Sequence, residues 1–306
     1  MEKPIGMIGL GIMGSAMSAN LAKAGFRVAG FDPVPACRAA HKSAGGIVAK
    51  SNADVARRVD IVVTSLPSAK ALAAVAEEVA SAAKRGLILV ETSTLPLEDK
   101  ESACARLAKA GVIMLDCTLS GTGAQARVKD LLVYASGPKA AYQRCTAVFD
   151  GFARAHHYLG AFGNGTKMKF VANLLVAIHN VAAGEAFTLA LKAGLDPALM
   201  YKVVGDGAGG SRMFQVRGPM MVDNDYSDAT MKVEVWQKDM HIIGDFATRL
   251  GCPTPLFNAS APIYTAAMAS GHAKDDTASV CAVLSEMAGV VRKTKKRKST
   301  RAAKRG

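Results

Sequence analysis

The strongest constraint on the fold is a glycine-rich turn near the start of the chain. Residues 9–14 read Gly-Leu-Gly-Ile-Met-Gly and follow a strand predicted at Ile5–Leu10. A helix is predicted next, over Met13–Lys23, and it ends at Gly25, a residue type that commonly terminates helices. A glycine turn between a strand and a helix is typical of sites that bind the phosphates of a dinucleotide.

Each glycine of this turn has its own predicted role. Gly9 permits the tight turn, Gly11 lets the backbone approach a pyrophosphate, and Gly14 allows the helix to pack closely on the strand. Ile12 and Met13 stand at the helix N-terminus, which faces the phosphate charge. The sequence therefore predicts that these five residues bind a nucleotide cofactor.

A carboxylate follows the second predicted strand, Val28–Phe31, about 20 residues beyond the turn. At this place the Asp32 carboxylate can accept hydrogen bonds from an adenosine ribose and would repel a 2′-phosphate. No arginine is adjacent to it in the sequence, so the pattern favours NAD over NADP. The alternative is an ordinary glycine turn with an unrelated aspartate at the end of a strand.

The first half of the chain alternates strand and helix patterns, which indicates a parallel sheet, and the second half is helical throughout. Further strands are predicted at Ile61–Leu66, Leu87–Glu91, Ile113–Asp116 and Leu132–Ala135. Helical segments are predicted at Gly165–Gly194, Pro197–Gly205, Lys232–Gly251 and Pro255–Val291. We therefore expect an α/β Rossmann domain over residues 1–162 and an all-α domain over residues 163–291.

Residues 292–306 form a basic tail. This segment holds nine lysines and arginines and no acidic residue, so most of the net charge of +13 comes from it. A block of like charges cannot bury itself, and we expect it to be disordered and to bind nucleic acid weakly through phosphates. The alternative is a solvated tail without an essential role.

Composition limits the compartment and the class of protein. No run approaches the roughly 18 uninterrupted apolar residues of a membrane span, and no signal peptide is evident. The six cysteines form no CxxC pair and no pattern with histidine at metal spacing. We expect a cytoplasmic protein without a membrane partner, with reduced thiols and no bound metal.

The first motif resembles the opening of the β-hydroxyacid dehydrogenases. Residues 8–17 read IGLGIMGSAM and residues 20–25 read NLAKAG. The family includes 3-hydroxyisobutyrate dehydrogenase, tartronate semialdehyde reductase and L-threonate dehydrogenase, and is related to 6-phosphogluconate dehydrogenase. Three further motifs follow in the family's order, so the resemblance covers nearly all of the chain except the tail. It implies a Rossmann domain followed by a helical domain.

The second motif, residues 116–124, reads DCTLSGTGA and resembles the family's D-A-P-V-S-G-G substrate segment. A serine hydroxyl and exposed loop amides can hold a carboxylate, which makes Ser120, Gly121 and Thr122 candidate substrate-binding residues. The segment departs from the family by Cys-Thr in place of Ala-Pro and by Thr122 in place of the second glycine. The added hydroxyl indicates either a more polar substrate or a rearranged loop.

The third motif, residues 163–169, reads GNGTKMK, and Asn173 follows four residues later. The spacing places Lys169 and Asn173 on one face of a helix, one turn apart. In the family's G-x-G-x-x-x-K pattern the lysine is the catalytic acid/base, which implies that role for Lys169, with Asn173 orienting the substrate. Burial and the positive charge of the oxidised nicotinamide would lower the pKa of such a lysine toward neutrality.

The remaining candidates are also implied by the resemblance. The sequence Lys238-Asp239-Met240 is similar to the family's K-D-L, in which the lysine reaches the cofactor and the substrate. Leu66 and Pro67 match a family motif near the cofactor, Thr94 matches a contact on the nicotinamide side, and Ser211 resembles a serine on the substrate side.

We therefore expect an NAD-dependent enzyme that interconverts a small 3-hydroxy acid, threonate-like or 3-hydroxyisobutyrate-like, and its semialdehyde or keto acid. Apolar residues over Val171–Leu191 also indicate a homo-oligomer, a dimer or a tetramer. Two alternatives stay open. One is an aldehyde or imine reductase from a sister branch, and the other is a non-catalytic nucleotide-binding scaffold that binds nucleic acid through its tail.

Overall fold

The computed structural model describes residues 4–292 and divides into two compact units between Val171 and Ala172. The first unit is a sheet with helices on both faces, and the second is helical, which confirms the expected fold class.

The predicted basic tail lies outside the described residues apart from Arg292. The Arg292 guanidinium donates hydrogen bonds to the carbonyl oxygens of Met221 (2.6 Å) and Val222 (3.2 Å).

Eight strands form one sheet within the described residues. They are β1 (Ile5–Ile8), β2 (Val28–Phe31), β3 (Ile47–Val48), β4 (Ile61–Thr64), β5 (Ile88–Glu91), β6 (Ile113–Ser120), β7 (Leu132–Ser136) and β8 (Ala155–Tyr158). Their order is β3-β2-β1-β4-β5-β6-β7-β8. The first six strands of this order form the parallel arrangement of dinucleotide-binding sheets, whose ligands bind beyond the carboxyl ends of the strands.

The last part of the sheet differs from the expected parallel arrangement. β7 runs antiparallel to β6, and β6 continues four residues past its predicted end at Asp116, to Ser120. Residues 121–131 connect the two strands, and a parallel crossover requires a dozen or more residues. β3 and β8 were not predicted, because β3 has only two residues and β8 carries His156 and His157 in place of an apolar run.

Helices cover the two faces of the sheet. Those of the first unit are α1 (Ile12–Lys23), α2 (Pro35–Ser43), α3 (Asn52–Arg58), α4 (Ala69–Ala82), α5 (Leu97–Lys109), α6 (Gly123–Arg127) and α7 (Lys139–Phe152). On one face α1 and α7 pack on the strands through side chains such as Met17 and Phe149. On the other face α3, α4 and α5 do so through side chains such as Leu72 and Leu107. Full burial of one such side chain contributes about 1.5–3 kcal/mol.

The second unit is built from the remaining helices, of which α8 begins in the first unit. They are α8 (Asn164–Lys192), α9 (Pro197–Asp206), α10 (Arg212–Asp223), α11 (Val233–Arg249), α12 (Pro255–Ala269) and α13 (Val280–Met287), with a 3₁₀ turn at Thr277–Ser279. The predicted segment Pro255–Val291 is therefore interrupted. α10 was not predicted, since Gly218 and Pro219 lie inside it; a β-carbon at Gly218 would overlap the ring of Tyr201.

Within residues 4–292, α8 is the one helix that is long and apolar enough, by length and composition, to cross a membrane. The central helix of a folded helical unit has the same properties, because it must be apolar on several sides. Phe187 is fully buried and Ala183 and Ala190 are nearly so; all three belong to the core of the second unit. The burial of these side chains favours a core helix.

A buried ion pair links α10 to the start of the 3₁₀ turn in the second unit. Asp276 is fully buried, and its carboxylate accepts hydrogen bonds from the Arg217 guanidinium (2.8 Å) and from the hydroxyl and amide of Thr230 (both 2.8 Å). Burial would raise the pKa of Asp276, but the Arg217 charge and backbone amides hold the pKa below its ordinary value of 3.8. The stabilisation is therefore present above that ordinary value and is lost as pH falls through the lowered pKa.

Replacing Arg217 by methionine should lower the free energy of unfolding by about 3–5 kcal/mol, because it leaves the Asp276 carboxylate buried without a counter-charge. Urea unfolding at pH 7 measures this loss. Arg212→Met, at an exposed arginine on the same helix, is the matched control and should change the stability by less than about 0.5 kcal/mol. The difference between wild type and Arg217→Met should shrink below about pH 4; equal stability at pH 7 would contradict the assignment.

Candidate active site

The glycine turn is shaped to admit a phosphate. Gly9 has φ +87°, and a β-carbon on it would overlap the carbonyl oxygen of Ser65. A β-carbon on Gly14 would overlap the carbonyl oxygen of Gly9, so the helix can approach the turn only through a glycine. Gly11 faces open space, and α1 begins without a side-chain cap. The amides at this helix end therefore meet the requirements of a phosphate site.

Asp32 braces the turn from the end of β2. Its carboxylate accepts hydrogen bonds from the backbone amides of Leu10 (2.7 Å) and Val34 (2.8 Å), and the residue is 8% exposed. Each oxygen keeps a lone pair for a further hydrogen bond, since a carboxylate oxygen accepts two. Asp32 thus fixes the turn in addition to any contact that it makes with a ribose.

The sequence shows no arginine adjacent to Asp32, but the structure brings one beside it. The Arg38 guanidinium donates to the carbonyl oxygens of Asp32 (2.6 Å) and Pro33 (2.9 Å) and lies over the Phe31 ring, 5.6 Å from its centroid. Arg38 lies beside the end of β2 because the first turn of α2 folds back toward Asp32. The sequence argument against NADP is therefore corrected on this point, because a positive charge does lie near Asp32.

The loops after β4 and β5 are joined by one serine. The Ser93 hydroxyl accepts a hydrogen bond from the Leu66 amide (2.8 Å), and the Ser93 amide donates to the Glu91 carboxylate (2.8 Å). Pro67 is exposed and Thr94 is partly exposed. The structure thus brings the predicted cofactor residues Leu66, Pro67 and Thr94 to the same edge of the sheet as the glycine turn.

The segment at Ser120, Gly121 and Thr122 ends β6 and starts α6. Thr122 is the N-cap of α6: its hydroxyl accepts a hydrogen bond from the Gln125 amide (3.4 Å), and its own amide donates to the Gln125 side chain (3.0 Å). The spacing T-x-x-Q is a recognisable capping box, which the sequence analysis missed. The Thr122 hydroxyl is therefore committed to the loop, which favours a rearranged loop over an added substrate contact.

The cofactor turn and this segment are neighbours. A β-carbon on Gly123 would lie 2.5 Å from Cγ2 of Ile12, and the Asn20 amide side chain donates to the carbonyl oxygen of Ala126 at 2.6 Å. α1 therefore contacts the segment that is predicted to bind the substrate carboxylate. The N-terminus of the same helix is the predicted phosphate site.

The start of α8, which carries the half-buried Lys169, is capped by residues from the sheet. Gly163 has φ +92° and no side chain with which to cap the helix. The Gly165 amide donates to the Ser136 hydroxyl (2.9 Å), and the Thr166 amide donates to the Asp116 carboxylate (2.7 Å). Most helices use a side chain near their own start for these bonds. Here β6 and β7 supply them.

Glycine is required at position 165 because the helix meets the sheet closely. A β-carbon there would overlap the carbonyl oxygen of Tyr134 and lie 2.6 Å from that of Asp116. The Thr118 hydroxyl also donates to the Gly165 carbonyl oxygen at 2.7 Å. The threonine that departs from the family's Ala-Pro pattern thus helps to hold the start of α8.

A fully buried ion cluster lies beneath the site and was not predicted. The ammonium of Lys100, on α5, is 2.5 Å from the Glu91 carboxylate and 2.9 Å from the Asp116 carboxylate, and all three side chains are 0% exposed. Lys100 shares its helix face with Ala103 and Leu107, both buried. A lysine at spacing i, i+3, i+7 with apolar residues is the sequence signal that could have revealed it.

The charge state of Lys100 is fixed by its partners. Burial alone would lower the pKa of its ammonium, but the carboxylates of Glu91 and Asp116 raise the pKa above its ordinary value of 10.5. A raised pKa means that the stabilisation is complete at neutral pH and is lost only as pH rises through that pKa. Lys100 is therefore a fixed positive charge under physiological conditions.

In the second unit the predicted residues also have defined partners. The Asn173 amide nitrogen donates to Asp239 (2.9 Å), and the Lys238 ammonium lies 3.4 Å from the same carboxylate. Ser211 is the N-cap of α10, and its hydroxyl accepts from the Phe214 amide at 3.1 Å. Asp239 thus links Asn173 and Lys238. Ser211 caps α10, a role that the sequence did not indicate because Phe214 stands where a capping box has Glu or Gln.

Among residues 4–292 no group of three or more histidine, cysteine, aspartate or glutamate side chains has the arrangement of a metal site.

Two family models together match nearly the whole described chain. Residues 4–160 match the NAD binding domain of 6-phosphogluconate dehydrogenase, and residues 163–284 match the NAD-binding model of NADP-dependent 3-hydroxyisobutyrate dehydrogenase. The chain is 34% identical over 284 residues to a protein of Cupriavidus necator named L-threonate dehydrogenase, covering 92% of this chain and 95% of that protein.

Solved structures give the same result. A 3-hydroxyisobutyrate dehydrogenase from Salmonella typhimurium is 31% identical with a TM-score of 0.82, covering 92% of this chain and all of that one. A Mycobacterium tuberculosis 3-hydroxyisobutyrate dehydrogenase, whose structure was determined with L-serine, is 28% identical with a TM-score of 0.85 and covers 93% of this chain and 99% of that one. The similarity extends over both compact units.

Gly165→Ala should destabilise the protein by about 1–3 kcal/mol, because the added methyl group collides with two backbone oxygens that cannot move independently of the sheet. Thermal and urea unfolding measure the change. Gly244→Ala, also inside a helix, is the matched control, since its methyl group makes ordinary contact with Phe257 at 3.9 Å. That variant should be neutral or more stable, as alanine favours helices over glycine. Equal effects of the two substitutions would contradict the close approach at Gly165.

Proposed function

The chain belongs to the β-hydroxyacid dehydrogenase family and is an NAD(P)-dependent 3-hydroxyacid dehydrogenase, and from this premise we propose a threonate-like hydroxy acid as its substrate and Lys169 as its acid/base. The similarity to the Cupriavidus L-threonate dehydrogenase supports the substrate class. The observation that carries the proposal is the placement of Lys169, half-buried, on a helix start that is fixed to the carboxyl ends of the sheet.

The reaction requires a hydride acceptor and a proton acceptor. A nicotinamide cofactor held by the glycine turn and Asp32 would supply the acceptor for the hydride on the carbon that bears the hydroxyl group. The Lys169 amine takes the hydroxyl proton as the carbon–oxygen bond becomes a carbonyl, and returns it in the reverse reduction. Asn173 orients the reacting oxygen without adding charge, and Asp239 fixes the rotation of its amide.

The substrate carboxylate is assigned to the end of β6. The Ser120 hydroxyl and the backbone of Gly121 are the groups of this segment that we assign to it. Thr122 belongs to the same segment, but its amide and hydroxyl are both bonded to Gln125. Thr122 therefore contributes by shaping the turn. Lys238 and Ser211 are assigned to the substrate by family resemblance.

NAD is the proposed cofactor, with NADP used less well. The buried Asp32 carboxylate would meet a 2′-phosphate with like charge in a medium less polarisable than water. The Arg38 guanidinium is turned toward the backbone oxygens of Asp32 and Pro33 and is thereby partly neutralised by dipoles. The preference for NAD over NADP therefore depends on the balance between the repulsion by Asp32 and the attraction by Arg38.

Self-association is proposed for the same reason that it was expected. On α8, Val171 is 56% exposed, Leu175 47% and Leu189 72%, an unusual amount of apolar surface for a helix. A homo-oligomer, a dimer or a tetramer, would cover it. Cytoplasmic location, and weak nucleic-acid binding by the tail, stay predictions.

Lys169→Ala should lower kcat by about 10²–10⁴-fold with the preferred hydroxy acid, since it removes the proton acceptor. The measurement is reduction of NAD across a panel of hydroxy acids, with NAD binding followed by fluorescence. Lys167→Ala is the matched control, because Lys167 lies on the same helix and is exposed; it should retain turnover.

Three outcomes would argue against this assignment. Retained turnover in Lys169→Ala would exclude the acid/base role. Reduction of imines in preference to oxidation of hydroxy acids would favour the sister branch. Tight NAD binding without turnover of any panel member by the wild type would favour the scaffold.

Asp32→Asn should narrow the preference for NAD over NADP by about 5- to 30-fold. The substitution removes a carboxylate charge whose repulsion of a 2′-phosphate is worth roughly 1–2 kcal/mol at the effective dielectric constant of a surface site. Arg38→Gln should act in the opposite direction and weaken NADP use alone. The measurement is kcat/KM for both cofactors at fixed ionic strength. A ratio that is unchanged in Asp32→Asn would show that this carboxylate does not set the preference.

A further inference from the structure

We infer that Asp116 and Thr166 are positioning residues for Lys169, and that the buried ammonium of Lys100 ties them to the loops that carry the cofactor. This inference rests on the proposed function, in which Lys169 exchanges the proton. Asp116, Thr166 and Lys100 are buried, and we infer that they act by fixing the position of α8, without contacting the substrate.

The start of α8 has no cap of its own, since Gly163 lacks a side chain. Asp116 replaces the cap with two hydrogen bonds to one residue: Oδ2 accepts from the Thr166 amide at 2.7 Å and Oδ1 from the Thr166 hydroxyl at 2.8 Å. Thr166 precedes Lys169 by three residues, which is less than one helical turn. Lys169 therefore lies less than one helical turn from Thr166, the residue that attaches α8 to the sheet, and its position relative to the sheet depends on that attachment.

The second hydrogen bond has a different consequence from the first. The bond from the Thr166 amide satisfies an N-terminal backbone donor of the helix, as any cap does. The bond from the Thr166 hydroxyl joins a side chain to the second carboxylate oxygen, so that the helix start is held at two points. Two points of attachment oppose rotation of the first turn about its axis, and such rotation would swing the Lys169 side chain sideways.

Lys100 connects this attachment to the cofactor side. Its ammonium contacts Asp116 at 2.9 Å and Glu91 at 2.5 Å. Glu91 accepts a hydrogen bond from the Ser93 amide, and the Ser93 hydroxyl accepts one from the Leu66 amide, each at 2.8 Å. One buried positive charge thus fixes both the start of α8 and the loops after β4 and β5.

Hydride and proton transfer depend on such placement. Reacting atoms must lie about 3–3.5 Å apart, and a shift of about 1 Å costs on the order of 100-fold in rate. The Asp116 carboxylate contacts Lys100 and also holds the start of α8 through two hydrogen bonds. We infer that this attachment keeps Lys169 from shifting by as much as about 1 Å relative to the loops after β4 and β5. Loss of the Thr166 hydroxyl should therefore affect the chemical step more than it affects folding.

The experiment compares Thr166→Val, Thr166→Ala and Thr166→Ser in the full-length protein. Valine keeps the shape and removes the hydroxyl group, alanine removes it without a β-branched side chain in the helix, and serine restores it. Thr188→Val is the matched control, because Thr188 is a buried threonine on the same helix whose hydroxyl is hydrogen-bonded to that of Ser285 at 3.3 Å. For each variant we would measure kcat, KM for the hydroxy acid, Kd for NAD, Tm, and the deuterium isotope effect on kcat with substrate labelled at the carbon that loses hydride.

Thr166→Val and Thr166→Ala should lower kcat by about 10- to 100-fold and increase the isotope effect, with Kd for NAD nearly unchanged. Thr166→Ser should recover most of the turnover, and Thr188→Val should lower Tm without lowering kcat. If Thr166→Val and Thr166→Ala keep the wild-type kcat and isotope effect, or if Thr188→Val loses turnover equally, Thr166 is only structural and the inference is wrong. If the wild type itself turns over no hydroxy acid, the proposed function fails, and this inference falls with it.

Discussion

The attraction of one buried ammonium for two buried carboxylates is the constraint around which the first unit is arranged. Lys100, Glu91 and Asp116 lie on three different elements, α5, β5 and β6, and each is fully buried. Burying any one of these charges without the others would cost several kcal/mol, so the three elements must come together or the cluster cannot form. Its stabilisation is therefore inseparable from the correct pairing of β5 with β6 and the packing of α5 on the sheet.

The cluster carries one more negative charge than positive, and the fold offsets the excess with a helix end. The N-terminus of α8 presents its amides to Asp116, and the partial positive charge of a helix N-terminus favours an anion there. Asp116 is in this way shared between an ammonium and a helix. This sharing is consistent with the first two turns of α8 belonging to the first compact unit, which ends at Val171, whereas the sequence pattern predicted a domain boundary after residue 162.

What the sequence predicted well were features that local patterns determine. The six predicted strands, which correspond to β1, β2 and β4–β7, and the glycine turn were found because apolar runs and glycines at fixed spacing specify them without distant partners. The cluster at Lys100 was missed because its members stand 9 and 16 residues apart on different elements, and only the folded sheet brings them together. The position of Arg38 was missed for a similar reason, since the first turn of α2, which begins at Pro35, brings it back to the end of β2. The capping role of Thr122 was visible in the sequence as T-x-x-Q, but the departure from the family's glycine was interpreted only as a more polar substrate or a rearranged loop.

The capping role of Thr122 changes where substrate selectivity should be sought. A hydroxyl that is bonded within its own loop has little left with which to recognise a substrate, so the departure at Thr122 does not by itself favour a polar acid. The same reasoning applies to Thr118, whose hydroxyl is bonded to the Gly165 carbonyl oxygen. Both departures from the family pattern thus adjust how the segment after β6 and the start of α8 are held, and neither adds a free polar group. We therefore propose that selectivity among hydroxy acids is set by other residues proposed for the substrate, such as Ser120, Asn173 and Lys238, of which the last two are linked by Asp239.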